Sequence, residues 1–387
     1  MKLTIRYRSR AQFHCVTAAR SCLTIERCDV PSVILANVGT PLIWVTLFHL
    51  VLGNIFIGIL EGALLASLYR IPSGRAVVVM ILANYFSAWV GLVYLSLIVE
   101  SKNFSLYDAP GVIWGMIAVA YVTTILLEWP FVLACFWRVD KALRRSVGAS
   151  VLVQSVSYVL LFGFYWAVSV RSLSTDLTVV RPSEIVSSAA VRIFYIADED
   201  GNVYSRNLGT GQTKQVYALK SQDFKDCLSF QASTSEAGFH EIVALLDSGD
   251  HNEPNVVRID IAVPDENCPL MTNGKPLTEY RWQSPSSGVA AKLGSAVESP
   301  WDFKAGFWPL QGLSGENTKT DDSVRFAIET PFVRWNVRRA IQLPADQILF
   351  QLGKSQICLL DLKERKVAVL CFGHGAVAVL DTDTRDP

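Results

Sequence analysis

Charge is nearly missing from four long stretches of this 387-residue chain, at 30–69, 76–99, 110–137 and 146–170. The second and fourth hold no Asp, Glu, Lys or Arg, the first holds only Glu61, and the third holds only Glu128. Catalytic signatures are missing too: the chain has no G-x-S-x-G, Walker loop, H-E-x-x-H or G-x-G-x-x-G. No constellation therefore points to an enzyme, and no cofactor is expected. The eight cysteines (Cys15, Cys22, Cys28, Cys135, Cys227, Cys268, Cys358 and Cys371) form no C-x-x-C pair, which speaks against a zinc ribbon or a thioredoxin motif. Net charge is zero overall but uneven. Residues 1–170 carry 13 Lys+Arg and 7 Asp+Glu, hence +6, whereas 171–387 carry 22 and 28, hence −6. An acidic C-terminal half argues against a nucleic-acid partner, whose phosphates need a basic surface.

What is present is apolar length. A bilayer core needs roughly 20 apolar residues of helix, and each stretch exceeds that. The sequence therefore predicts a multi-pass membrane protein of the cell membrane with the lipid bilayer as its first partner. A basic tail at 1–38 shows no period of either kind and is expected to be disordered. A four-helix membrane bundle follows at 39–170, with spans at about 40–69, 76–99, 111–137 and 146–170. A soluble domain follows at 171–387. The short connections require antiparallel neighbours.

Each predicted helix carries a small or polar stripe at separations of three, four and seven, which keep a set on one face. The stripes are Asn54, Gly58, Glu61 and Gly62; Asn84, Ser87, Ala88 and Gly91; Tyr121, Thr124 and Glu128; and Ser150, Gln154 and Ser157. Lipid offers polar groups no partners, so the stripes should face one another, and Gly58-x-x-x-Gly62 should let two helices approach closely. Glu61, Glu128, Asn54, Asn84 and Gln154 are the intramembrane candidates. Two readings stand: interhelical glue, or a proton or ion path, since charge in mid-membrane is costly and commonly functional. Pro130, just past Glu128, removes one helical bond and should kink the third helix.

Cations near the span ends set the expected orientation. Arg70 and Arg75 flank the first connection, and Arg138, Lys141, Arg144 and Arg145 flank the third, against Lys102 alone in the second. The positive-inside rule places the first and third connections in the cytoplasm, and so the C-terminal domain outside.

From residue 171 the pattern changes to short apolar runs with turn signals. Runs at 191–197 and 203–206 flank Asp198-Glu199-Asp200-Gly201-Asn202, a strong hairpin signal. Further strands are expected at 214–219, 227–232, 241–246, 255–263, 279–283, 324–328, 333–341, 347–352, 356–361, 366–372 and 376–380. Stretches 264–277, 284–300 and 311–322 read as loops. Segments 192–218, 241–263 and 347–371 share a strand-turn-strand grammar, which suggests a β-propeller-like all-β domain of four or five blades; a β-sandwich or an incomplete propeller is the alternative. Asp198 and Asp200 are weak candidates for a calcium site, and Asp247, Asp250, His251 and Glu253 form a second polar cluster. A two-residue turn at Glu364-Arg365 would set Cys358 opposite Cys371, within adjustment of a disulfide, with two buried free thiols as the alternative.

The segments ANYFSAWVG at 83–91, LLEWPF at 126–131 and SYVLLFGFYW at 157–166 resemble those of four-span bacterial membrane proteins with a C-terminal β-rich domain. The resemblance implies that architecture and no activity. The expectation is a membrane-anchored extracytoplasmic binding or scaffold protein, partnered by another membrane or extracytoplasmic protein. The alternative is a small transporter or channel component using the intramembrane carboxyls.

Overall fold

The computed structural model describes residues 52–99, 104–168, 177–185, 190–221, 223–247, 255–270, 288–305, 312–326, 328–329 and 334–381. The predicted tail, the start of the first span, the expected strand at 279–283 and the candidates Asp250, His251 and Glu253 lie outside these residues.

Four helices come first: α1 (Asn54–Tyr69), α2 (Ser73–Val99), α3 (Ala109–Cys135) and α4 (Ala142–Val168). Three of them, α2, α3 and α4, contain segments long and apolar enough to cross a membrane; the described part of α1 is apolar but has only 16 residues. α1 ends where Arg70 turns left-handed (φ 56°), and Pro72 lies in the connection to α2. α3 starts with Pro110 in its first turn and carries Pro130 inside. Around the bundle, α1 packs on α2 and α4, and α3 packs on α2 and α4. Leu65, Met80, Val132, Phe136 and Val153 fill the space between them. Arg75, at the start of α2, donates through Nη2 to the Ala134 carbonyl at 2.5 Å, so a cation meets the carbonyl-rich end of α3. The outward faces carry Phe56, Val78, Leu82, Trp89, Trp114, Val122, Leu126 and Val159, all exposed. Glu61, Asn84, Glu128, Gln154 and Ser157 are buried instead. This inversion of the usual globular pattern suits lipid, which rewards no buried apolar face and tolerates no exposed polar one.

The C-terminal part is β-rich. A curled sheet of nine strands joins β1 (Thr178–Val179), β2 (Val191–Ala197), β3 (Val203–Asn207), β4 (Thr213–Tyr217), β9 (Ala291–Lys292), β15 (Val337–Leu343), β16 (Gln347–Leu352), β17 (Gln356–Asp361) and β18 (Lys366–Leu380). Its path runs β4-β3-β2-β18-β17-β16-β15-β9, with β1 beside β18. A three-stranded sheet holds β5 (Cys227–Ala232), β6 (Phe239–Leu246) and β7 (Asn255–Pro264). A four-stranded sheet holds β8 (Gly288–Val289), β10 (Trp301–Ala305), β11 (Leu313–Asn317) and β12 (Ser323–Phe326). β13 (Ile328–Glu329) and β14 (Arg334–Trp335) pair separately.

Every residue of β16 and β17 is buried. Their alternate side chains enter two cores. Leu349, Ile357 and Leu359 meet Ile193, Phe230 and Ile242 on one side. Ile348, Phe350, Cys358 and Leu360 meet Phe303, Leu313 and Phe326 on the other. Burial on both faces is why these strands read as near-continuous apolar runs.

A ring of separate propeller blades is not established, because β18 is one continuous strand serving two groups. Its first half pairs with β17 and its second half with β2. The expected strands at 366–372 and 376–380 are thus a single strand with a bulge between His374 and Val377. Two expected loops also contain strands: β11 lies within 311–322, and β8 and β9 lie within 284–300. β11 reads Leu-Ser-Gly-Glu-Asn, with one large apolar residue, so its pattern gives little sign of a strand.

The connection between α2 and α3 enters the second β core. Leu106 is 1% exposed there, and Phe104 packs beside it with its ring 4.9 Å from that of Trp335. Gln356 clasps the connection: its Oε1 accepts from Leu106 N at 2.7 Å and its Nε2 donates to Phe104 O at 3.3 Å. The Tyr107 hydroxyl accepts from Val369 N at 3.2 Å and donates to Val369 O at 3.4 Å. On β18, β1 pairs only Lys366 and Val367, and β2 begins pairing at Gly373. Tyr107 thus serves backbone groups of Val369 that neither β1 nor β2 pairs. With antiparallel helices, the β domain stands at this end of the bundle, and the connections at 70–72 and 136–141 stand at the other.

Candidate functional site

The polar stripes converge as the sequence predicts, and the reason is steric. A Cβ at Gly58 would sit 2.6 Å from the Ile81 Cα, and one at Gly62 would sit 2.5 Å from the Val77 Cα. Only glycine lets α1 lie this close to α2. Glu61, next to Gly62, is thereby brought to Asn84, whose Nδ2 donates to Glu61 Oε2 at 2.5 Å and to the Met80 carbonyl at 3.0 Å. One turn on, Ser87 Oγ lies 2.5 Å from Glu128 Oε1 and 3.1 Å from the Asn84 carbonyl. Gln154 Nε2 on α4 donates to Glu128 Oε2. Each helix thus supplies one part of a single cluster.

Both carboxyls are fully buried, at 0% exposure. Asn54 is also buried on α1, toward its N-terminal end. Ser157 approaches the Glu61 carboxyl, yet Ser157 Oγ and Glu61 Oε1 have no hydrogen-bond partner among the described residues. Two polar contacts flank the cluster between α3 and α4. Tyr121 and Ser155 meet at 2.7 Å, and Thr124 and Tyr158 meet at 3.0 Å. A third, Trp129 Nε1 to Ser146 Oγ at 3.1 Å, ties the same helices. Ser155, Tyr158 and Trp129 lie off the predicted stripes; a search for polar residues facing Tyr121 and Thr124 across a helix pair would have found the first two.

Among the described residues the other candidates are not gathered into a site. Asp200 is spent on its own hairpin: it accepts from Asn202 N at 3.0 Å, Asn202 Nδ2 at 2.7 Å and the Tyr204 hydroxyl at 2.9 Å. These bonds hold its carboxyl below the usual range, the Asn202 backbone foremost. Asp198 shares the turn but none of these bonds. Asp247 pairs with Lys225 at 2.9 Å. Among the described residues no group of three His, Cys, Asp or Glu is placed to hold a metal.

The expected cysteine register is corrected. Asp361 pairs with Lys366, so the turn holds four residues instead of two, and Cys358 faces Val369. A bulge then sets Ile357 opposite Cys371. Cys358 enters the second core and Cys371 packs against the first, so the two thiols are free and occupy opposite faces. The longer turn shifts the pairing by two residues and keeps the faces; the one-residue bulge is what puts Cys371 on the face opposite Cys358. Burial pushes the Cys371 thiol up to about 12 and the Cys358 thiol higher still.

No protein-family model matches the chain, and no curated protein matches it.

Proposed function

We propose that the chain is a multi-pass cell-membrane protein whose bundle anchors and presents a β-rich binding or scaffold domain at the extracytoplasmic face. The observation that carries this reading is the seat of the α2–α3 connection in the β core through Leu106, Gln356 and Tyr107. An anchor that presents a domain needs such a fixed joint. The carboxyls are enclosed and bonded to amide and hydroxyl groups, which suits interhelical glue. The orientation rests on Arg70, Arg75, Arg138, Lys141, Arg144 and Arg145 at the far end of the bundle, against Asp140. In the finer fold reading, the four strand groups are propeller-like blades: β2–β4 with the end of β18, β5–β7, β8 with β10–β12, and β15–β17 with the start of β18. The partner is a second membrane or extracytoplasmic protein, met by the domain's turns.

A photo-crosslinker placed in the exposed turn at 318–320 tests this reading in the full chain. It should capture one reproducible partner that a crosslinker at lipid-facing Phe56 does not. Equal capture at both positions would contradict it. The unpartnered Glu61 Oε1 favours a second reading, in which the bundle conducts or transports. That reading requires ion flux in proteoliposomes that Glu128→Gln abolishes.

A further inference from the structure

We propose that Glu61 and Glu128 form one proton-binding site, in which Glu128 carries the bound proton on Oε1 and donates it to Ser87. This goes beyond the anchoring role and does not depend on it.

Charge favours a shared proton. The two carboxyls are held one helical turn apart along α2, Glu61 by Asn84 and Glu128 by Ser87, and both are fully buried. The cations in the described helices are Arg75, Arg144 and Arg145. Arg75 precedes Asn84 by nine residues, about 13 Å along the helix, and is engaged with the Ala134 carbonyl. Arg144 and Arg145 precede Gln154 by a similar length. The nearby titratable side chains on the packed elements are Tyr121 and Tyr158, which bring no positive charge. Two enclosed carboxylates without a counter-ion are far costlier than a pair that keeps a proton.

The count of hydrogens places that proton on Glu128. Ser87 has one hydroxyl hydrogen and two close oxygens, Glu128 Oε1 and the Asn84 carbonyl. The carbonyl only accepts; with the Ser87 hydrogen given to it, the contact with Oε1 takes its hydrogen from the acid. Gln154 Nε2 only donates, which makes Glu128 Oε2 the acceptor oxygen. Asn84 spends its two amide hydrogens on Glu61 Oε2 and the Met80 carbonyl. Glu61 Oε1 is then the one carboxyl oxygen of the pair without a partner, and it shares that state with Ser157 Oγ.

Infrared spectroscopy of the full chain in nanodiscs at neutral pH tests the assignment, because a protonated carboxyl has a C=O stretch separate from carboxylate bands. The wild type should show a carboxylic-acid band that is lost in Glu128→Gln and kept in Glu61→Gln. Glutamine keeps both a donor for Ser87 and an acceptor for Gln154, so the bundle should persist. Ser87→Ala should shift the same band, since the acid loses its acceptor, and it carries the test alone if Glu128→Gln does not fold. Identical spectra for wild type and a folded Glu128→Gln would overturn the proposal. So would a band lost only in Glu61→Gln, or one that Ser87→Ala leaves unmoved.

Discussion

Replacing Leu106 by alanine should loosen the β domain from a position that precedes it in sequence by some 70 residues. Leu106 is 1% exposed in the core of Phe303, Leu313, Phe350 and Val369. Leu106→Ala removes roughly three methylene equivalents at about 0.8 kcal/mol each, near 2.4 kcal/mol, and the cavity left behind raises the cost toward about 2–5 kcal/mol. Tyr107→Phe removes only the hydroxyl that serves Val369, and Tyr107 is 40% exposed, so water can partly replace it. About 0.5–1.5 kcal/mol is expected there. The assay is hydrogen exchange of the full chain in detergent, read at the first half of β18. At tenfold per 1.4 kcal/mol, Leu106→Ala should speed exchange there by about fifty-fold, and Tyr107→Phe by about tenfold or less. Unchanged exchange in β18 for Leu106→Ala, with faster exchange only in the helices, would refute the joint. A β domain expressed from about residue 176 lacks the same side chain and should show the same weakness.

Gly58→Ala and Gly62→Ala should each lower the bundle's thermal stability, because the added Cβ meets backbone of α2. Gly115→Ala, with nothing within 4 Å, should be neutral or raise it by up to about 1 kcal/mol. Glu128→Leu should destabilise by about 1–3 kcal/mol, since the Gln154 amide is left without its acceptor and Ser87 loses its contact with the acid, whereas Glu128→Gln should be nearly neutral; equal melting of the two variants would contradict this. His374 is 3% exposed, and burial depresses its pKa, against Asp198, Asp226 and Asp223. The unfolded state therefore binds the proton first. β-domain stability should fall as pH drops below about 6.5, by at most about 1.4 kcal/mol per pH unit, and this slope should be weaker in His374→Gln.

Much of the bundle was legible because long apolar helices with their polar residues on one stripe leave few ways to pack. Charge-poor runs gave the helices, Gly58 and Gly62 gave the closest approach, and the polar stripes gave Glu61, Asn84, Glu128 and Gln154. Strands β2, β5, β16 and β17 were legible from their apolar runs and flanking turns. Long-range pairing was not. β18 closes onto β2 across most of the domain, and periodicity carries no information on which distant edge a strand will meet. The Cys358 register failed on two local details, a four-residue turn and a one-residue bulge. Leu106 was invisible because one apolar residue in a short connection has no period, and its partner Gln356 is 250 residues away.

The most direct test of the account is the side of the membrane on which the β domain stands. Lys319→Cys, in the exposed turn between β11 and β12, and Asp140→Cys, in the connection between α3 and α4, would be labelled in intact cells with a membrane-impermeant thiol reagent, relative to the unsubstituted chain. Labelling is expected at 319 without permeabilisation and at 140 only after it. Labelling at 140 in intact cells, with 319 protected until permeabilisation, would contradict it.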